Sequence, residues 1–409
     1  MPLRGPFFLW NPTEKSTDEL EQTFVPVDGV LRRIERDLRE QSDLGQVTHF
    51  LIIGQRGTGK TTHLALLYER FRADLNSPYC PIFLREEHPG IYGLRGLYER
   101  ILEQLAQDYG LTAASRALHA LRCETEEILA LAVAESAMRQ LWRDARKRVL
   151  LLFDHFNEFV ESQLLPDTGD WRLRSLLQLN PPMVLVAASP IALHEMMEPF
   201  SDSNYIGRSD ELHRRAEQYE NAFFQFFLPL YLRPLDGAGV RDLIETRARW
   251  DGEEGFWQRH QARIQAITTL TGGNPRLVMA LYRLLAEGDI ASAADDLRQL
   301  LDLLSEYFRD RWKDLPKQEQ RVIHALIEIG VETAPGAIAK QARLSPNVTS
   351  KLLERLTHSG LIAYRQKGAR SRVYALNDRL FSMWYQMRFI KPLGQRLMGL
   401  AEALRGSIR

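Results

Sequence analysis

The sequence predicts an α/β protein: a parallel sheet covered by helices, then a wholly helical stretch, then a small α+β winged helix. Three observations carry this. Short apolar runs alternate with helix-patterned segments over residues 46–235, the rhythm of strands buried on both faces and joined by crossover helices. Residues 237–299 then keep a helical period interrupted at Gly272-Gly273-Asn274-Pro275. From residue 316, two helix patterns, a tight turn, a third helix and two short strand patterns follow in order, the layout of a winged helix-turn-helix.

The elements follow in chain order. Residues 1–45 read as a lead-in, Pro-rich at first and then helical over 30–40, with Val30, Ile34 and Leu38 on one face. Residues 48–54 are a buried strand, and 61–72 an amphipathic helix with Leu64, Leu67, Tyr68 and Phe71 on one side. Further strands are expected at 80–84, 149–153, 182–189 and 224–232, with helices around 93–107 and 126–146. In the last part, helices are expected over 317–330, 335–343 and 348–359. The turn Leu344-Ser345-Pro346-Asn347 separates the second from the third, which Gly360 stops. Short strands at 361–364 and 372–376 form the wing, and 378–409 reads as helix running into a tail.

Bulk properties narrow the classes. A chain of 409 residues exceeds one ordinary core, so two or three domains are expected. Lys plus Arg number 53 and Asp plus Glu 53, so no global charge favours nucleic acid and any basic surface is local. The two cysteines, Cys80 and Cys123, are far apart in sequence, which argues against a disulfide framework or a thiolate zinc site and fits a reducing cytoplasm. The apolar stretch at 6–10 is too short for a signal core, and the runs at 149–153 and 223–232 are too short for a membrane span. A soluble protein with no membrane partner is expected.

The sharpest signal is Gly54-Gln55-Arg56-Gly57-Thr58-Gly59-Lys60-Thr61, which fits G-x-x-x-x-G-K-[ST] in full, between an apolar strand and an amphipathic helix. Glycines let the backbone fold back so that successive N–H groups point at phosphate oxygens, and the helix N-terminus adds partial positive charge. Lys60 is expected to reach the β- and γ-phosphates and the Thr61 hydroxyl to ligate Mg²⁺, with Thr62 following in the first helical turn. Such a loop needs an acid at a neighbouring strand tip to hold the metal; Asp154 ends the apolar run 149–153. The expected ligands are therefore a nucleoside triphosphate and Mg²⁺, with Thr61 and Asp154 at the metal; ATP is the triphosphate that the resemblance described next implies.

These features resemble the AAA+/STAND superfamily of P-loop NTPases, particularly archaeal-type ATPases with a C-terminal winged helix. The resemblance rests on Gly54 to Thr61, Phe153 to Phe159, Gly272 to Leu277 and Tyr374 to Tyr385. It implies a P-loop domain over 46–235, a helical lid over 236–303, a winged helix over 304–390 and a tail over 391–409. His155 stands where many AAA+ proteins carry Glu, Asn157 replaces the first acid of the STAND pattern, and Glu158 keeps the second. Glu158 is the expected water-activating group. The resemblance makes Ser189 a sensor of the γ-phosphate or attacking water. It makes Pro275 and Arg276 the lid contact, Arg276 reading the γ-phosphate. An arginine finger acting in trans would be Arg208, Arg214 or Arg215.

The third winged-helix helix carries Lys351, Arg355 and His358, spaced for one exposed face, and the wing carries Arg365, Lys367, Arg370 and Arg372. That face could hold double-stranded DNA through its phosphates, although Glu354 sits among the cations. The leading expectation is an ATP-driven, slowly hydrolysing switch whose output is homo-oligomerisation or engagement of a partner protein. The alternatives are a DNA-binding ATPase of initiator or transposition-regulator type, and a scaffold that holds nucleotide without turnover.

Overall fold

The computed structural model describes residues 12–41, 47–85, 91–164, 169–178, 181–190, 223, 225–287, 301–302, 304–366 and 372–389. In chain order they include helices α1 (Thr17–Thr23) and α2 (Val30–Glu40), strand β1 (His49–Ile53), α3 (Lys60–Ala73) and β2 (Tyr79–Leu84). Then come α4 (Gly93–Tyr109), α5 (Thr112–Cys123), α6 (Glu127–Ala145), β3 (Arg148–Phe153), the short α7 (Phe156–Phe159), α8 (Gly169–Gln178), β4 (Met183–Ser189) and β5 (Phe227–Tyr231). The remainder is α9 (Gly237–Asp251), α10 (Phe256–Thr271), α11 (Pro275–Glu287), α12 (Ser305–Lys313), α13 (Lys317–Ile329), α14 (Pro335–Ala342), α15 (Pro346–His358), β6 (Ile362–Gln366), β7 (Arg372–Leu376) and α16 (Arg379–Phe389). Two compact units result. One is Gly29–Gly54 with Lys60–Tyr231; the other is Met1–Asp28, Gln55–Gly59 and Leu232–Arg409.

The first unit is built on a five-stranded sheet in the order β2-β3-β4-β1-β5, with every pair parallel. Every residue of β1 to β4 is buried, as continuous apolar strands between helical layers require. Register aligns Ile53 with Ser189 and Tyr231, and Leu84 with Phe153. The carboxyl ends of the strands therefore lie along one edge, where open α/β sheets bind ligands.

Two helices here were not legible in advance. In α5, the buried residues are Ala114, Ala117 and Leu121, two of the three being alanine. Alanine's weak hydrophobic signal hides the face. In α8, the buried face of Leu173, Leu176 and Leu177 also includes Asp170, whose carboxyl is pushed up by burial. The strand expected at 224–232 contracts to β5; ahead of it Phe223 and Phe226 lie in a turn and pack on each other and on Phe227, the first strand residue.

His49 makes this sheet pH-sensitive. Its Nδ1 accepts from the Leu185 N–H at 3.0 Å and its Nε2 donates to the Leu177 carbonyl at 3.0 Å. The ring stacks on Phe226 with centroids 4.8 Å apart. Burial lowers its pKa from 6.5 to about 4. The unfolded chain takes up the proton first, so this stabilisation is complete above about pH 6.5 and is lost as pH falls towards 4. The span is worth about 3 kcal/mol. Thermal denaturation of wild type and His49→Gln between pH 7 and pH 4 should show the wild type losing more stability by roughly that amount; parallel losses would refute the assignment.

The second unit has one continuous apolar core running from Val240 and Ile244 through Tyr282 and Phe308 to Phe381 and Trp384. The helical segment and the winged helix thus share a core. Helices α13, α14 and α15 with the antiparallel β6–β7 hairpin make the winged helix, and a bridge between Thr333 and Tyr374 ties the hairpin to the entry of α14. Helix α12 was also unpredicted: its sequence is mostly charged, but Tyr307, Phe308 and Arg311 are buried.

Candidate phosphate-binding site

The loop at 54–61 leaves the carboxyl end of β1, and α3 begins at Lys60. Gly57 and Gly59 have φ of 85° and 98°, backbone that a side-chain-bearing residue rarely adopts. The hydroxyl and N–H of Thr58 both bond the Gln55 carbonyl, at 2.8 and 3.2 Å, closing the loop on itself. Thr62 is the third residue of α3 and is half-buried.

On the sheet side the loop's flanks are set as follows. The Gly54 N–H donates to the carbonyl of Ser189 at 3.2 Å, and Ser189 is fully buried at the end of β4. Lys60 is buried, its Nζ donating to the Gly54 carbonyl at 2.7 Å. The Thr61 hydroxyl donates to Asp154 Oδ2 at 2.6 Å. A hydroxyl and a carboxylate are thus in one place, the hard-oxygen pair that suits Mg²⁺ completed by water and phosphate oxygens. Among the described residues no cluster of three or more His, Cys, Asp or Glu side chains could hold a metal; a metal carried in with phosphates needs none. Beyond Asp154, Asn157 is buried whereas Glu158 is exposed and meets His155.

The middle of the loop, Gln55–Gly59, belongs to the second unit, and a ring of donors grips its carbonyls. The Asn274 side-chain amide and the Tyr307 hydroxyl both donate to the Arg56 carbonyl, at 3.0 and 2.7 Å. The Arg276 N–H donates to the Gly57 carbonyl at 3.2 Å. Asn274 Oδ1 also caps α11, accepting from the N–H groups of Arg276 and Leu277 at 3.1 and 3.3 Å, with Pro275 as the first helical residue. A Cβ on Gly57 would lie 2.7 Å from Asn274 Oδ1 and 2.8 Å from the Tyr307 hydroxyl, and one on Gly273 would strike the Leu235 carbonyl at 1.9 Å. The Arg276 guanidinium lies over the Tyr307 ring, 4.8 Å from its centroid.

Side chains of the loop are held as well. Arg56 pairs with Asp310 at 3.0 Å. Gln55 accepts from Arg311, which also pairs with the buried Asp378, and the Gln55 amide donates to the Ser359 carbonyl at 2.5 Å. Burial pushes the Asp378 carboxyl up, against the pull of Arg311; burial likewise raises the Tyr307 phenol. Sequence reasoning missed Tyr307, Asp310 and Arg311 because α12 carries no clean apolar period. Asp378 lay inside the stretch 374–385 already singled out, and a lone acid before an aromatic helix was its only signal.

The winged helix departs from expectation. Lys351 is exposed on α15. Arg355 instead turns to Glu319, at 3.0 Å, because that buried carboxylate needs a cation. Arg365 bonds Glu332 through Nε at 3.1 Å and through Nη2. Arg372 lies over the Tyr364 ring at 4.6 Å. Lys367, Arg370 and the side chain of His358 lie outside the described residues, as do Arg208, Arg214 and Arg215.

Neither a protein-family model nor a curated protein sequence matches the chain. Solved structures do. The Walker-type ATPase PABY2304 of Pyrococcus abyssi is 15% identical, with 93% of this chain and 99% of that one covered and a TM-score of 0.55. The ORC2 protein of Aeropyrum pernix, in its ADPNP–ADP complexes, is 14% identical over 93% of this chain and 94% of its own, with a TM-score of 0.51. Among the described residues no helix is long and apolar enough to cross a membrane. With its strand order and its phosphate-type loop, the chain has the fold of AAA+ P-loop ATPases: a parallel α/β sheet with a helical lid, followed by a winged helix.

Proposed function

We propose that the chain is an ATP-binding and slowly ATP-hydrolysing molecular switch of the AAA+/STAND type. Its nucleotide state would set homo-oligomerisation or the engagement of a partner protein. The observation that carries this reading is the grip on residues 55–59 by Asn274, Arg276, Tyr307 and Arg311. A switch requires a differential contact between its two states. Here a phosphate loop whose amides turn to a nucleotide would have its carbonyls read by the lid and by α12. Lys60 would take the β- and γ-phosphates. Mg²⁺, held by Thr61 and Asp154, would neutralise charge on them. Ser189 and Arg276 would sense the γ-phosphate, and Glu158 would activate water. Slow turnover follows from His155 standing directly after Asp154.

The DNA reading is less favoured. Two of its expected phosphate contacts, Arg355 and Arg365, are already bound to Glu319 and Glu332, and breaking such pairs subtracts from any gain at a phosphate. The test is hydrogen exchange on the full chain with ADP and with a non-hydrolysable ATP analogue, together with molar mass in solution. Altered protection in α11, α12 and the winged helix, with a nucleotide-dependent mass, is expected. Changes confined to residues 54–62 with an invariant mass would overturn the switch.

A further inference from the structure

We propose that His155 is a positioning residue that holds Glu158 for attack of water on the γ-phosphate; this rests on the ATP-hydrolysing reading above. The two side chains meet, His155 Nδ1 standing 3.3 Å from Glu158 Oε1. The imidazole is mostly buried, its side chain 13% exposed, while Glu158 is 58% exposed. One partner is therefore fixed and the other faces solvent. An exposed glutamate alone samples many rotamers, and a hydrogen bond from a fixed ring restricts it to one.

The pair is tied to the phosphate loop through a short chain of contacts. The His155 N–H donates to Asp154 Oδ1 at 3.1 Å, and Asp154 Oδ2 accepts from Thr61 at 2.6 Å. His155 sits in the left-handed region at φ 52°, ψ 37°, a conformation that costs a non-glycine residue energy and persists where the surroundings impose it. They do so here. Phe156 and Phe159 flank the turn, packed against Phe153 with centroids 5.3 and 5.1 Å away, and Phe156 also meets Phe223 and Phe227. The Glu158 N–H closes the turn on the His155 carbonyl at 3.0 Å. With Asn157 buried, Glu158 is the acid this turn presents outward.

In the step itself, a water oxygen bonds to the γ-phosphorus while the bond from that phosphorus to the bridging oxygen breaks. Its electron pair stays on the β-phosphate of ADP. The water proton passes to the Glu158 carboxylate and then to solvent. His155 touches neither water nor phosphate; it sets where the carboxylate stands.

Phosphate release by the full chain in magnesium buffer tests this, with ATP and ADP affinities measured by calorimetry. His155→Gly keeps the backbone conformation available and removes the ring; its kcat should fall about tenfold, with KM and both affinities within about twofold of wild type. His155→Asn keeps a side-chain N–H donor and tolerates the left-handed backbone, and should restore most of the rate. Glu158→Gln should lose more than His155→Gly, and the double variant should be no slower than Glu158→Gln alone. Wild-type kcat in His155→Gly, or losses that multiply in the double variant, would overturn the proposal. So would a wild-type chain that binds ATP without turning it over, leaving nucleotide binding intact. A chain that binds no ATP would instead sink the functional reading beneath it.

Discussion

Lys60→Ala should weaken ATP binding by about a hundredfold or more while leaving the fold in place. The ammonium is buried at the head of α3 and bonded to the Gly54 carbonyl of its own loop at 2.7 Å, so it is already oriented before any phosphate arrives. A charge-assisted hydrogen bond contributes about 1.5–3 kcal/mol, and contacts to two phosphate groups add to about 3 kcal/mol, or a hundredfold in Kd. The structural cost includes the ammonium's bond to the Gly54 carbonyl, itself charge-assisted and worth about 1.5–3 kcal/mol. Lys60→Arg should not rescue: a planar guanidinium cannot take the place of a compact ammonium between a carbonyl and the helix start. Calorimetry with ATP in magnesium buffer, paired with thermal denaturation, separates the two effects. Unchanged affinity would remove the foundation of the functional reading.

How much of this could be read in advance depends on how local the signal is. The phosphate loop, β3 with Asp154, and β4 with Ser189 were visible because each is a contiguous run: apolar strand, then a residue of defined chemistry. The glycines at 57 and 59 follow from backbone geometry that sequence spacing alone announces. What grips the loop was not visible. Asn274 stood in a recognised turn, but its partner, the Arg56 carbonyl, lies 218 residues away in sequence, and no periodicity reports a side chain aimed at a distant carbonyl. For Arg276 the resemblance pointed to the residue but not to its neighbours. Its backbone N–H holds Gly57 and its guanidinium lies over Tyr307, a placement that needs α12, a helix whose charged sequence conceals its buried face. On α15 the spacing of Lys351 and Arg355 suggested a shared exposed face; the buried Glu319 on α13 decided otherwise.

The second large effect is expected at Arg311. Its guanidinium joins three parts of the chain: α12, the Asp378 carboxylate ahead of α16, and the Gln55 side chain in the phosphate loop. Arg311 and Asp378 are both buried, their side chains 5% and 3% exposed. Removing one member of a buried pair strands the other charge, at a cost of about 3–5 kcal/mol. Arg311→Leu should therefore destabilise the unit containing the lid and winged helix by that amount, whereas Arg311→Leu with Asp378→Leu should recover much of the loss. The pH dependence separates a stranded charge from simple loss of packing. Burial already pushes the Asp378 carboxyl up, and Arg311 opposes that push. Without the guanidinium the folded form holds its proton more tightly than the unfolded chain does. The variant's stability should then be highest at low pH and fall as pH rises above about 4, the unfolded carboxyl value. A deficit that is the same at pH 5 and pH 8 would point to packing alone. Gln55 also loses its donor in this variant, although its amide still reaches the Ser359 carbonyl. If the grip on the loop transmits nucleotide state, Arg311→Leu should bind ATP yet show weaker nucleotide-dependent protection in α15 than wild type. An equal response would mean that the Arg56 and Gly57 carbonyl contacts carry the coupling by themselves.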